Sequence, residues 1–122
     1  MSRKYPLPEG CPEESPWGFI QSATKLADDL FCVSTPSHGG IFVGPSLLER
    51  IPVEFRATRF NFRAPLLGGH WFEEDIGWTI PAHFLPEYFE EEDSKVAARL
   101  CKQHYAAQFR LWEHAKSEQA NA

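Results

Sequence analysis

From Asp93 or Ser94 onward the apolar residues recur at helical spacing, and this pattern constrains the fold more than any other in the chain. Val96, Leu100, Ala107 and Leu111 fall near one stripe, and Ala97, Cys101, Tyr105 and Trp112 near its neighbour. That is the signature of a helix with one side on a core. Asp93 or Ser94 is placed to cap it, and Glu90, Glu91 and Glu92 lie where carboxylates favour its positive end. Upstream the period changes. In Thr58-Arg59-Phe60-Asn61-Phe62-Arg63-Ala64 polar and apolar residues alternate, which predicts a strand near 58–63 with Phe60 and Phe62 on one face and Arg59 and Arg63 on the other.

Two further strands are predicted from Phe31-Cys32-Val33-Ser34 and Ile41-Phe42-Val43, rich in β-branched and aromatic residues. The intervening Thr35-Pro36-Ser37-His38-Gly39-Gly40 supplies turn residues, so residues 31–43 read as a hairpin. Pro45 to Arg50 suits a short helical turn stopped by Pro52. Gly68-Gly69 reads as a loop, and Glu73-Glu74-Asp75 as the head of a helix that Pro81 limits or kinks. The expected fold class is therefore α+β: a small antiparallel or mixed sheet packed by C-terminal helices.

With 122 residues, 43% of them hydrophobic and 14% aromatic, the chain has material for one packed core and not for two. Trp17, Trp71 and Trp78 are the expected large members of that core. Pro6, Pro8, Pro12 and Pro16 make residues 1–16 an extended arm, leaving 17–122 as a single α+β domain. A net charge of −5 disfavours general adhesion to nucleic acid or an anionic membrane while leaving room for a local basic patch. No apolar run is long enough to span a bilayer, residues 1–15 lack the apolar centre of a secretory signal, and a cytoplasmic protein is expected. Cys11, Cys32 and Cys101 are odd in number and free of C-x-x-C spacing, which points to a reducing compartment, with Cys101 in the core.

Three signatures stand out: Ser15-Pro16-Trp17-Gly18, the run from Val33 to Gly40, and Trp71-Phe72-Glu73-Glu74-Asp75 followed by Trp78. In order and spacing they resemble an uncharacterised domain recurrent in bacterial phage and plasmid proteins, sometimes fused to larger anti-restriction or DNA-handling polypeptides. The resemblance covers roughly residues 15–90. It implies a mobile-element context and carries no catalytic residue to transfer.

His38 is the best single candidate for chemistry, since a histidine on a glycine-supported turn can face a substrate and titrate near neutral pH. The plain alternative is a hairpin turn with a local hydrogen bond. Glu73, Glu74 and Asp75 near His70 invite a metal reading, but match no recognised ligand spacing. Arg56, Arg59 and Arg63, interleaved with Phe55, Phe60 and Phe62, suit single-stranded nucleic acid, or else a strand with its aromatics inward and arginines outward. Residues 73–93 hold eight acids and no Lys or Arg, a surface able to imitate nucleic-acid phosphates toward a basic groove, or a solvated face.

The expectation drawn from these features is a binding protein acting through Glu87, Glu90, Glu91, Glu92 and Asp93, with His38. Neither cofactor, metal nor catalytic residue is assigned. The expected partner is a host or phage protein complex with a basic surface, above all a nucleic-acid-targeting defence complex such as a CRISPR effector, with no membrane and no direct nucleic-acid contact. The alternatives are a small hydrolase using His38 with Glu73, Glu74 or Asp75, metal-assisted or not, and a structural interaction module.

Overall fold

A computed structural model describes residues 3–121 of the chain; Met1, Ser2 and Ala122 lie outside the described residues. Five strands form the main sheet: β3 (Ser22–Ala27), β4 (Leu30–Ser34), β5 (Gly39–Val43), β6 (Phe62–Ala64) and β7 (Gly69–Glu73). They lie in the order β3-β4-β5-β7-β6, and each neighbouring pair is antiparallel. A two-stranded ribbon, β1 (Glu14–Ser15) and β2 (Gly18–Phe19), precedes it. Four helices complete the α+β fold: α1 (Pro45–Leu48), α2 (Thr79–Phe84), α3 (Glu91–His104) and α4 (Ala106–Ala120).

The predicted hairpin is β4–β5. Its turn closes through Thr35, whose N–H donates to the His38 carbonyl at 2.7 Å and whose hydroxyl receives the His38 N–H at 3.1 Å. Side chains directly opposite across the ladder share a face. One face gives Leu30, Ile41, Val43 and Phe72 to a core completed by Ile51, Phe55, Ile80 and Leu85 from the helical side. The other gives Phe31, Val33, Phe42 and Trp71 to a second cluster, covered by Ile20 and the half-buried Leu7, Cys11 and Trp17.

The three sequence signatures meet in this second cluster. Trp17 stands edge-on to Trp71 with ring centroids 5.8 Å apart. Its ring lies over Gly40, where a Cβ would come within 2.5 Å of it, so this strand position takes glycine for close approach. Trp71 is buried as expected, whereas Trp17 and Trp78 are half-buried.

The structure departs from the sequence reading in five places. Glu14 and Ser15, inside the proline-rich arm, pair as a strand, and Arg3 ties that arm to the Ile20 carbonyl at 2.6 Å. β3 carries little apolar periodicity and went unpredicted. Gly69, read as loop, and Glu73, read as the head of a helix, are the two ends of a fully buried strand, β7. The strand expected at 58–63 shrinks to Phe62–Ala64, because Thr58 to Asn61 make a turn with Phe60 at φ +69°. Phe60 and Phe62 therefore point out, 57% and 43% exposed, while Thr58 and Asn61 are buried.

The fifth departure is the C-terminal helix, which is two helices broken at Tyr105 (φ −107°, ψ 35°). Ala97, Cys101 and Tyr105 are the buried stripe, and Val96 and Leu111 are exposed. Glu90 occupies the N-cap without a side-chain bond, and the hydroxyl of Ser94 donates back to the Pro86 carbonyl instead of capping.

Candidate functional site

The helices cover only part of their face of the sheet. Along β4 the residues on that face are Leu30, Cys32 and Ser34; Leu30 is sealed, but Cys32 and Ser34 are exposed. Over them opens a cleft of about 790 Å³. Its floor is Cys32, Ser34 and Ile41, and its far wall is the segment joining α2 to α3, with Tyr88 and Phe89 beside Trp78. Five acids line it, Glu74, Glu87, Glu90, Glu91 and Asp93, and no lining residue is Lys or Arg.

These carboxylates are not equivalent. Glu87 takes a two-pronged hydrogen bond from Arg50, at 2.6 and 3.0 Å, which holds it below the usual carboxylate range. Glu91 meets Lys95 at 3.2 Å one turn along α3, an exposed pair of small energetic weight. Glu90 and Asp93 make no ion pair among the described residues, and Glu92 is exposed outside the cleft lining. The sequence-predicted acidic set is thus split by the fold: four members line the cleft and one is beside it.

His38 sits on the turn at the cleft's end, its Nδ1 3.5 Å from Glu74 Oε1, with both side chains about half exposed. Of the three acids at 73–75, only Glu74 enters the cleft. Glu73 is buried, and its carboxylate accepts the backbone N–H groups of Asp75, Ile76 and Gly77 at 2.6, 2.8 and 2.6 Å. It caps the turn ahead of α2, whose helical residues begin only at Thr79. The Glu73 N–H in turn donates to Asn61 Oδ1 at 2.9 Å, and a Cβ on Gly77 would collide with that same oxygen.

Cys32 was not singled out by sequence, although the polar–apolar alternation of Phe31-Cys32-Val33-Ser34 does mark a two-faced strand. Although Cys32 reaches solvent, partial desolvation by the surrounding cleft, and then the charge of Glu74, raise its thiol pKa, so it is a poor nucleophile. His83 is pushed down, first by burial and then by Lys102, and packs on Phe84 and Phe109; His114 pairs with Glu118 at 3.0 Å. His70 lies three residues before Glu73 on β7, and its ladder partners are Val43 and Arg63. Among the described residues no three His, Cys, Asp or Glu side chains are placed to hold a metal ion, and no helix is long and apolar enough to cross a membrane.

What the fold and site define is a small α+β domain whose antiparallel sheet is half roofed by helices and open, at the unroofed end, as an acidic cleft with an aromatic wall. The chain belongs to the family described as a domain of unknown function, DUF7007, and the match spans residues 10–122. No curated protein and no solved structure matches it.

Proposed function

We propose that the domain is a stoichiometric binding protein that takes a basic segment of a partner protein into the acidic cleft. The observation carrying this reading is the cleft lining: Glu74, Glu90 and Asp93 beside Ile41 and the aromatic Trp78, Tyr88 and Phe89, with no Lys or Arg in it. A lysine or arginine stem packs on Tyr88, Phe89 and Ile41 while its charge meets the carboxylates, a division of labour suited to long cationic side chains. The resemblance to domains of phage and plasmid proteins directs the choice of partner class. In such a setting the basic segment is one that normally holds a nucleic-acid backbone, and the domain is an accessory factor inhibiting a host nucleic-acid-targeting defence complex.

The test compares the wild-type chain with a Glu90→Lys/Glu91→Lys/Asp93→Lys variant for capture of such complexes from a bacterial host lysate, followed by titration against the purified target. Capture lost in the variant, and inhibition saturating near one protein per site, support the proposal. Equal capture by both proteins rejects the cleft as the binding surface.

A second reading has its own observation, the contact between His38 Nδ1 and Glu74 Oε1 at 3.5 Å. A carboxylate that orients a histidine leaves the other ring nitrogen free as a general base. As a hydrolase the domain would inactivate a target progressively at trace amounts, and His38→Ala would abolish the effect while the charge reversals would not.

A further inference from the structure

The edge of the sheet opposite the cleft carries a second surface. β3, β4 and β5 hold the cleft, and β6 closes the other end of the strand order. At that end Phe60 projects into solvent from a backbone at φ +69°, a conformation that bulky residues rarely adopt. The turn that holds it there is clamped from both sides. The Asn61 N–H donates to the Thr58 carbonyl at 3.1 Å, and the Asn61 side chain bonds Thr58 Oγ1 at 2.6 Å and the Glu73 N–H at 2.9 Å. A buried polar network therefore fixes a strained turn whose main product is one outward aromatic ring. Outliers of this kind are where a fold stores strain for function.

The charge around that ring is positive. Arg59 lies over it, its guanidinium carbon 4.7 Å from the ring centroid. Among the described residues the ion pairs involve Arg3, Arg50, Lys25 and Lys95 with carboxylates, and none involves Arg56, Arg59 or Arg63. Arg56 is held by the Ile51 and Leu48 carbonyls at 2.8 and 2.9 Å, which leaves Arg59 and Arg63 as two exposed arginines without a carboxylate partner among the described residues. His70, paired with Arg63 across the sheet, is brought down to about 4 chiefly by its burial; a backbone hydrogen bond with Arg56 opposes this, and the charges of Arg56 and Arg63 add to it in smaller measure.

We infer that the turn carrying Phe60 binds single-stranded nucleic acid: a base stacks on Phe60, Arg59 beside it meets a phosphate, and edge strand β6 extends the site with Phe62 toward one face and Arg63 toward the other. Exposed aromatic faces interleaved with arginines are how sequence-tolerant single-strand sites are built. A net charge of −5 rules against general adhesion to polyanions, not against this local surface. The inference stands apart from the cleft reading, since the two surfaces share no residue.

Fluorescence anisotropy of labelled oligo-dT and oligo-U about 15 nucleotides long, at low salt, tests it. Both are expected to bind, more tightly than a duplex of the same length, and binding should weaken steadily with added salt. Phe60→Asn keeps a residue that tolerates the left-handed backbone, and Phe60→Gly relieves the strain. Each should leave the melting temperature unchanged or higher while weakening the oligonucleotide by about tenfold, the worth of one stacked base. Arg59→Ala should flatten the salt dependence. Failure of the wild type to bind either oligonucleotide, equal affinity for the duplex, full binding by both Phe60 variants, or binding of phosphatidylserine vesicles in place of oligonucleotides would overturn the assignment.

Discussion

Glu73 and His70 lie three residues apart on one buried strand and have opposite consequences. The Glu73 carboxylate satisfies three backbone donors that have no other partner in that turn. Glu73→Ala should cost about 2–3 kcal/mol in urea unfolding, the scale for buried donors that lose a charged acceptor. His70 is 5% exposed, and its Nε2 has no hydrogen-bond partner. Its folded pKa of about 4 lies below the unfolded 6.5, so the unfolded chain binds the proton first. The contribution of neutral His70 is complete above about 6.5 and is lost as pH falls toward 4. Urea unfolding of His70→Leu and the wild type across that window should show the variant less sensitive to acid; parallel pH profiles would refute the account. Neither role was legible in advance, because nothing in Glu73-Glu74-Asp75 distinguishes the acid that turns inward from the two that face solvent.

Among the elements, β7 is the one whose loss the fold tolerates least, with all five residues buried between β5 and β6. Trp71→Ala removes the ring that packs on Trp17 and Phe42, and should destabilise by about 3–5 kcal/mol, read as a fall in thermal midpoint. The hairpin of β4 and β5 was legible because apolar runs and turn residues alternate there without competition. β7 was misread because a strand buried on both faces loses its period of two, and the acids following it imitate a helix start. The break at Tyr105 has no sequence mark, since neither proline nor glycine is present. The side chain is drawn into the core, where its hydroxyl meets Asn61 Nδ2 at 3.4 Å, and the helix restarts to let Phe109 and Trp112 pack on Phe55.

At the scale of the whole molecule two local charge clusters stand at different places on the sheet, carboxylates around the cleft beside β4 and β5 and the exposed Arg59 and Arg63 at and beside β6. The acidic run at 87–93 was legible as composition. The cleft was not, because Cys32 on β4 and Glu74 just past the end of β7 are distant in sequence and only the sheet brings them opposite Tyr88 and Phe89. Reversing Glu90, Glu91 and Asp93 together should weaken partner binding far more than it changes the thermal midpoint, since exposed acids add little to stability. The wild-type association rate should fall as salt shortens the reach of these charges to about 10 Å at 0.1 M.

The N-terminal segment has a practical consequence. Leu7, Cys11 and Trp17 form part of the wall over Phe31, Phe42 and Trp71, so this stretch covers the second face of the sheet. A chain shortened to begin at residue 18 would lose Leu7, Cys11 and Trp17 from over Trp71 and Phe42, and should bind an apolar reporter dye and self-associate where the longer chain stays dispersed. For the capture experiments the affinity handle therefore belongs after α4, whose last turns are exposed, and protease sites should be kept away from the proline-rich stretch.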